Sequence, residues 1–199
     1  NSLKEMREEL KKSETEEKER NWIIAGQAEF SELLSKHTNN FQNLVDEIIS
    51  NLVKYIDGLQ GAIFIVNEED NVLDLVSSFA YDRKKFITKR VELGEGLVGQ
   101  AWHEEKFIQL DNIPAEHTQI KSGMGHATPK NILIVPLIDN QKVYGIIELA
   151  SFKTIETFQR EFVLRISENI AATLNSVEVN NKTQKLLLES QLLTEKMKE

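Results

Sequence analysis

The chain reads as an α+β protein, an antiparallel sheet held between long helices at its two ends. Three observations predict this. Residues 1–57 contain one glycine (Gly26) and no proline, and residues 146–199 contain neither. Pro114, Pro129, Pro136 and the other eight glycines all fall in the middle. Both residue types disfavour helix interiors and punctuate turns, so the outline is helix, mixed core, helix. The middle then changes period, with β-branched and aromatic runs at 61–66, 72–81, 132–137 and 143–152. Glu68-Glu69-Asp70-Asn71 joins the first pair of runs and Asp139-Asn140-Gln141-Lys142 the second, and two hairpins make an antiparallel sheet.

Size and composition narrow the function classes. With 199 residues, 40% hydrophobic and 28% charged, the chain can bury a core, which excludes wholesale disorder. The absence of cysteine excludes disulfides, Cys-ligated zinc, iron–sulfur clusters, a thiolate nucleophile and a thioether-linked chromophore. A net charge of −8 with scattered basic residues argues against a nucleic-acid backbone as the main ligand. No apolar run approaches the ~20 residues of a bilayer span, and no secretory signal opens the chain. A cytoplasmic location without membrane insertion of this segment is therefore expected. A chain opening on Asn1 reads as a piece of a longer protein.

Taken in order, the first twenty residues are highly charged, with Glu8/Lys12, Glu14/Lys18 and Glu16/Arg20 at the i,i+4 spacing that supports a helix. Leu3, Met6 and Leu10 add only a short seam, consistent with a solvated helix or with a coiled coil. From Trp22 the stripe Phe30, Leu33, Leu34, His37, Phe41, Leu44, Val45, Ile48, Leu52, Tyr55, Ile56 marks a buried helical face. Thr38–Asn40 is placed to break it and cap a second helix, which Asp57-Gly58 ends with glycine in the left-handed region. Short strands near 90–93 and 107–110 bracket a short helix at 97–105. Residues 111–131 form a long crossing segment, and loops of that length inside a domain usually carry function. A last helix runs from about Thr154 to the end, burying Ile155, Phe158, Phe162, Ile166, Ile170 and Val177. Beyond Val177 its seam mixes Asn180, Asn181, Gln184 and Gln191 with Leu187, Leu188 and Leu192 and needs a partner copy or a neighbouring module. The expected units are a lead-in helix over 1–21, a domain with its flanking helices over 22–171, and a linker helix over 172–199.

The loudest motif is Gly94-Glu95-Gly96-Leu97-Val98-Gly99, a G-x-G-x-x-G. As a dinucleotide fingerprint it would need a βαβ unit. Here the helix has only about two turns, the strands form hairpins, and Glu95 would repel a phosphate, so a tight turn into a short helix is the stronger reading. The four histidines show no H-E-x-x-H or H-x-x-E-H spacing. Ser122-Gly123 lacks the G-x-S-x-G elbow. Glu68-Glu69 and Glu104-Glu105 read as solvated. No catalytic centre, metal or cofactor is expected. The terminal helices cover one face of the sheet, which leaves the short helix and the crossing segment as a lid over the other. Such a lid makes an apolar concavity with a few polar groups. Its candidate ligand-binding residues are Phe79 and Tyr81 from the sheet, Trp102 from the helix, and His117, Ser122, Met124, His126 and Thr128 from the lid. Plain packing or solvation is the competing reading for each.

The order GEGLVGQAWHEEKFIQLDNIP, then a Gly-rich loop, then NILIVPLIDNQKVYGIIELAS resembles the GAF domain family. The family's glycine turn falls on Gly94–Gly99 and its strand ending in Asp on Phe107–Asp111. Its hairpinned strands fall on Ile134–Leu137 and Gly145–Leu149, and the resemblance spans about Phe41–Ala171. It implies a six-stranded antiparallel sheet with both terminal helices on one face and a ligand pocket on the other. It also implies dimerisation through those helices, and a role as sensory module in histidine kinases, chemoreceptors, cyclases or phosphodiesterases. The Asn-Lys-Phe-Asp-Glu signature of cyclic-nucleotide-binding members is absent, and so is the cysteine that bilin-binding and methionine-sulfoxide-reductase members need. The two ends are similar to the signalling helices of bacterial two-component proteins. The expectation is a homodimeric sensory domain that binds an unidentified small molecule noncovalently, with an output domain C-terminal to it. The alternatives are a ligand-free interaction module, filled by Phe79, Tyr81, Trp102 and Met124, and a small-molecule enzyme using His117 and His126.

Overall fold

Charged i,i+4 spacing, a cap and a change of period set the first elements, and the computed structural model describes residues 2–36, 40–80, 83–84, 89–113 and 129–197. Helix α1 (Ser2–Lys36) is followed by α2 (Phe41–Tyr55), then strands β1 (Gln60–Asn67), β2 (Val72–Ala80), β3 (Arg83–Lys84) and β4 (Arg90–Glu92). Helix α3 (Gly96–Glu104), strands β5 (Ile108–Leu110), β6 (Asn131–Asp139) and β7 (Lys142–Ser151), and helix α4 (Thr157–Lys196) complete the order. On α1, Glu16 lies 3.9 Å from Arg20 and 4.0 Å from Lys12. Such exposed pairs contribute only about 0.3–0.5 kcal/mol each.

Asn40 caps α2 as its composition predicts, its side chain accepting from the Asn43 N–H at 3.0 Å. The C-terminal stop differs in detail. The Gly58 N–H reaches the Val53 carbonyl and the Asp57 N–H that of Lys54, a Schellman closure, but the left-handed residue is Asp57 (φ +55°) rather than Gly58. An aspartate tolerates that region better than most side chains.

Every strand pairing is antiparallel, in the order β3-β2-β1-β7-β6-β5. β4 also pairs with β2, at Val72–Asp74, whereas β3 pairs at Phe79–Ala80. The two short strands therefore share one edge position, and the sheet is six strand positions wide. Asn140 and Gln141, both at positive φ (+48° and +64°), close the β6–β7 hairpin as a two-residue loop of the type I′ kind.

Alternation along the strands gives each face its own core. Ile63, Ile65, Leu133, Val135, Ile147 and Leu149 face α1, α2 and α4. Ala62, Phe64, Ile132, Ile134, Ile146 and Ala150 face α3. Helices α1 and α4 run parallel. Trp22 meets Phe158 and Phe162 with ring centroids 5.1 Å apart, and further along Leu34 and Ser35 share a groove with the 169–180 stretch of α4. Tyr55 completes the knot, its centroid 4.9 Å from that of Phe162 and its hydroxyl donating to the Trp22 carbonyl at 2.6 Å. Gly26 lets α1 approach these rings, since a Cβ there would lie 2.6 Å from both Phe162 and Tyr55.

Because the packing is parallel, α1 projects N-terminally from one end of the sheet layer and α4 C-terminally from the other. α1 crosses position 21 and α4 position 171 without a break. Val177 is the last buried residue of α4, and Leu186, Leu187, Leu188, Leu192 and Leu193 are exposed. Among the described residues no helix is long and apolar enough to cross a membrane.

Candidate ligand-binding face

The G-x-G-x-x-G segment is used up as a turn. Gly94 (φ +80°) and Gly96 (φ +60°) take left-handed backbone, and a Cβ on Gly99 would lie 2.4 Å from the Glu92 carbonyl oxygen. Amides of the turn are engaged locally: the Gly94 N–H donates to the Gly99 carbonyl at 2.9 Å and the Glu95 N–H to that of Glu92 at 3.0 Å. The Glu95 carboxylate turns back to accept from the Glu92 N–H at 2.9 Å. The turn delivers α3 across the sheet, with Val98, Ala101 and Trp102 inward. α3 packs on β4, β6 and β7 and lies between antiparallel strands, not in a βαβ crossover.

Of the residues expected at the site, Trp102 lies in the α3 layer and is 9% exposed. Phe79 lies elsewhere than expected. It packs in the helical layer, and the Lys54 ammonium sits 5.4 Å from its ring centre. The cause is a register shift: Ile63 faces Ser77 while Phe64 faces Leu75, so Val76 is an extra residue on β2. Strict alternation from Leu73 would keep Phe79 on the α3 face, and the bulge turns it over. Gly61, opposite Phe79, makes the room, because a Cβ there would lie within 2.7 Å of Val53 and Ile49. Phe79 and Trp102 are therefore not brought together. Tyr81, His117, Ser122, Met124, His126 and Thr128 lie outside the described residues.

Three buried polar residues on the α3 face were not expected. Ala62 faces Ser78 on one side and Glu148 on the other, and Gln60 faces Ala80 and Ala150, which places all three polar side chains on Ala62's side of the sheet. Gln60 and Ser78 are 1% exposed and Glu148 2%. Under α3 the floor is bulky, with Phe64, Leu73, Val143 and Ile146. At the other end it is small and polar, with Ala62, Ala80 and Ala150 between the three side chains. That end is where β2 runs out at Ala80 and β6 begins at Asn131. One signal was legible: Glu148 is a lone acid in the apolar run Gly145–Ala150, and acids are almost never fully buried unless paired.

The helical side carries two further depressions. A cleft of about 640 Å³ opens at the hairpin tips, where α4 leaves the sheet. The Tyr144 hydroxyl bonds Glu178 there, Lys182 lies 2.9 Å from the same carboxylate, and the Asn175 side chain donates to Asp139 at 2.7 Å. Burial first, and then the Glu178 carboxylate, push Tyr144 far above the usual phenol range, so it stays a donor. A shallower groove of about 580 Å³ runs between α1 and α4, bordered by Ser31, Ala172 and Ser176. Among the described residues, no three His, Asp or Glu side chains are grouped to hold a metal ion.

An antiparallel sheet with terminal helices on one face and a glycine-turn helix on the other defines an α+β domain. The chain belongs to the GAF domain family, whose profile, described as GAF domain, matches residues 38–175. GAF domains are common sensory ligand-binding domains of signalling proteins. Among solved structures, the chain is similar to the GAF domain of a phosphoenolpyruvate-protein phosphotransferase from Coxiella burnetii (15% identity, TM-score 0.68, 80% of this chain and 96% of that one). It is also similar to the A. aeolicus nlh2 GAF domain in an inactive state (19% identity, TM-score 0.64, 79% and 98%). A third likeness is to a free methionine-R-sulfoxide reductase from Neisseria meningitidis in complex with its substrate (12% identity, TM-score 0.62, 81% and 91%). At these identities the likeness is one of fold. No curated protein gives a significant sequence match.

Proposed function

We propose that this chain is a sensory module of a bacterial signal-transduction protein, working in the cytoplasm. In this reading it binds a small molecule noncovalently on the α3 face, dimerises through α1 and α4, and passes the state of that face to an output module beyond its C-terminus. The units are the lead-in helix 1–21, the sensory domain 22–171 and the linker helix 172–199. The observation that carries the reading is β7. The strand presents Glu148 on the α3 face, and Tyr144 of the same strand bonds Glu178 of α4 where that helix leaves the sheet. A ligand that favours one position of β7 would bias α4, by no more than its differential affinity for the two states, typically about 1–3 kcal/mol. The role proposed is regulatory, because sulfoxide reduction by a thiol has no cysteine to use here.

Native mass spectrometry of the purified protein, followed by analysis of the small molecules released on denaturation, tests the binding claim. A dimer carrying a mass that reappears in the extract supports it. A clean dimer that no compound stabilises favours a pure interaction module. Sedimentation tests the interface: a chain trimmed to residues 21–179 keeps every buried residue from Ile23 to Val177 and should associate more weakly. Unchanged association would place the interface elsewhere.

A further inference from the structure

We infer that the exit of α4 from the sheet is a charge-held latch, a joint with a closed and an open state in which Lys182 keeps the acid of α4 and those of the β1–β2 turn from driving each other apart. The inference rests on the reading of α4 as the route to an output module and adds the device that sets its position.

Burial along α4 ends at Val177, and every described residue from Val179 on is exposed. Glu178, between them, is the last point at which the helix is fastened. That fastening is polar. The Tyr144 hydroxyl of β7 donates to one carboxylate oxygen, and Lys182, one turn further on, lies 2.9 Å from the other. Val179, the next apolar side chain, is 53% exposed and adds little. A cleft of about 640 Å³ lies between this part of α4 and the hairpin tips, so the helix has room to move there.

Five carboxylates and two lysines line the cleft. Arg90 pairs with Asp74 at 2.9 Å and Asn175 donates to Asp139, which leaves Glu68, Glu69 and Glu178 to the two lysines. Lys142 bonds Glu68 and ties the β6–β7 hairpin to the β1–β2 hairpin. Glu178 first, and then Glu68 and Glu69, hold the Lys182 ammonium above its usual range. One lysine of α4 therefore stands in the field of acids from two elements. Without it, Glu178 faces Glu68 and Glu69 uncompensated, and like charges push the helix off the tips. An ordinary i,i+4 pair would instead involve Glu178 alone.

Amide exchange along α4, measured on the full chain at low ionic strength, reads the latch. Lys182→Gln removes the charge and hardly alters helix propensity. It should speed exchange over 178–186 by roughly fivefold to tenfold and leave 162–170 unchanged. Loss of an i,i+4 pair alone would give about twofold. Adding Glu69→Gln, in the β1–β2 turn, should bring the Lys182→Gln chain at least halfway back to the original rate. Rescue from a turn so distant in sequence can act only across the cleft. No rescue, or an effect of Lys182→Gln no greater than about twofold, overturns the latch and makes Lys182 a local helix pair. Exchange that rises evenly along the whole of α4 overturns it too, because the helix then loosens as a unit. None of these readouts involves a ligand. A chain that binds nothing in the native mass spectrum can still latch, and a chain that binds a ligand can fail to, so the two readings fall separately.

Discussion

Replacing Gly26 by alanine sets two effects of opposite sign against each other. Gly26 lies inside α1, where alanine is favoured over glycine by about 0.8–1.0 kcal/mol. Propensity alone therefore predicts a more stable protein. The packing predicts the reverse. The new Cβ would sit 2.6 Å from Phe162 and from Tyr55, against an ordinary carbon–carbon approach of about 3.5–4.0 Å. Roughly 1 Å must be found. Phe162 is fully buried and in ring contact with Trp22, Phe30 and Tyr55, while Tyr55 is tethered to the Trp22 carbonyl at 2.6 Å. Neither ring is the loose end of a flexible chain, so α1 itself must lift. Overpacking of this kind costs about 1–3 kcal/mol. With propensity subtracted, Gly26→Ala should destabilise by roughly 0–2 kcal/mol, and at about 2–4 °C per kcal/mol in a chain of this size the midpoint should fall by up to ~8 °C. Urea unfolding measures the stability, and amide exchange along 22–36 shows whether α1 is the element that loosens. A gain near 1 kcal/mol with unchanged exchange would mean that the aromatic knot yields freely, and the account of how α1 is held would be wrong.

Other substitutions probe other joints. Gly99→Ala meets backbone at 2.4 Å rather than side chain, so it should cost about 2–3 kcal/mol and shift the Trp102 fluorescence as α3 is displaced; unchanged stability and emission would refute the close approach. Asn40→Ala should cost about 1 kcal/mol in denaturant unfolding by removing the α2 cap, and a neutral result would assign the start of that helix to packing alone. Tyr144→Phe removes the hydroxyl bound to Glu178 and should cost about 0.5–1.5 kcal/mol, with faster amide exchange in α4 from about Glu178 onward and little change near Phe162. Exchange that rises evenly along α4 would count against a local clamp.

Much of the fold was legible because its signals are local. Confinement of glycine and proline to the middle, the Asn40 cap and the two turn compositions each fix an element within a few residues of where it forms. The glycine turn was also legible as a turn, since an acid at Glu95 and a two-turn helix suit no phosphate. The misplacement of Phe79 has a different cause. Alternation along β2 is sound up to Leu75, but the extra residue at Val76 comes from pairing with β1, and nothing in the local sequence marks it. The left-handed residue at Asp57 was assigned one position late because glycine is the usual occupant. The polar end of the α3 face is legible only across three strands. Ser78, Gln60 and Glu148 are far apart in sequence and come together through the registers of β2, β1 and β7. A search for loop histidines passes them by.

The parallel packing of α1 and α4 makes this domain a segment of a rod rather than a bead hung from one. A rod carries angle as well as position. Past Val177 the direction in which the exposed leucines point is tied to the sheet by α4's turn of about 100° per residue. One residue added between Val177 and Leu186 would swing those leucines about 100° around the axis, while seven would return them to within about 20°. The length of that stretch is therefore itself a coordinate of the protein. Substitutions along it change surface chemistry, but insertions and deletions change phase.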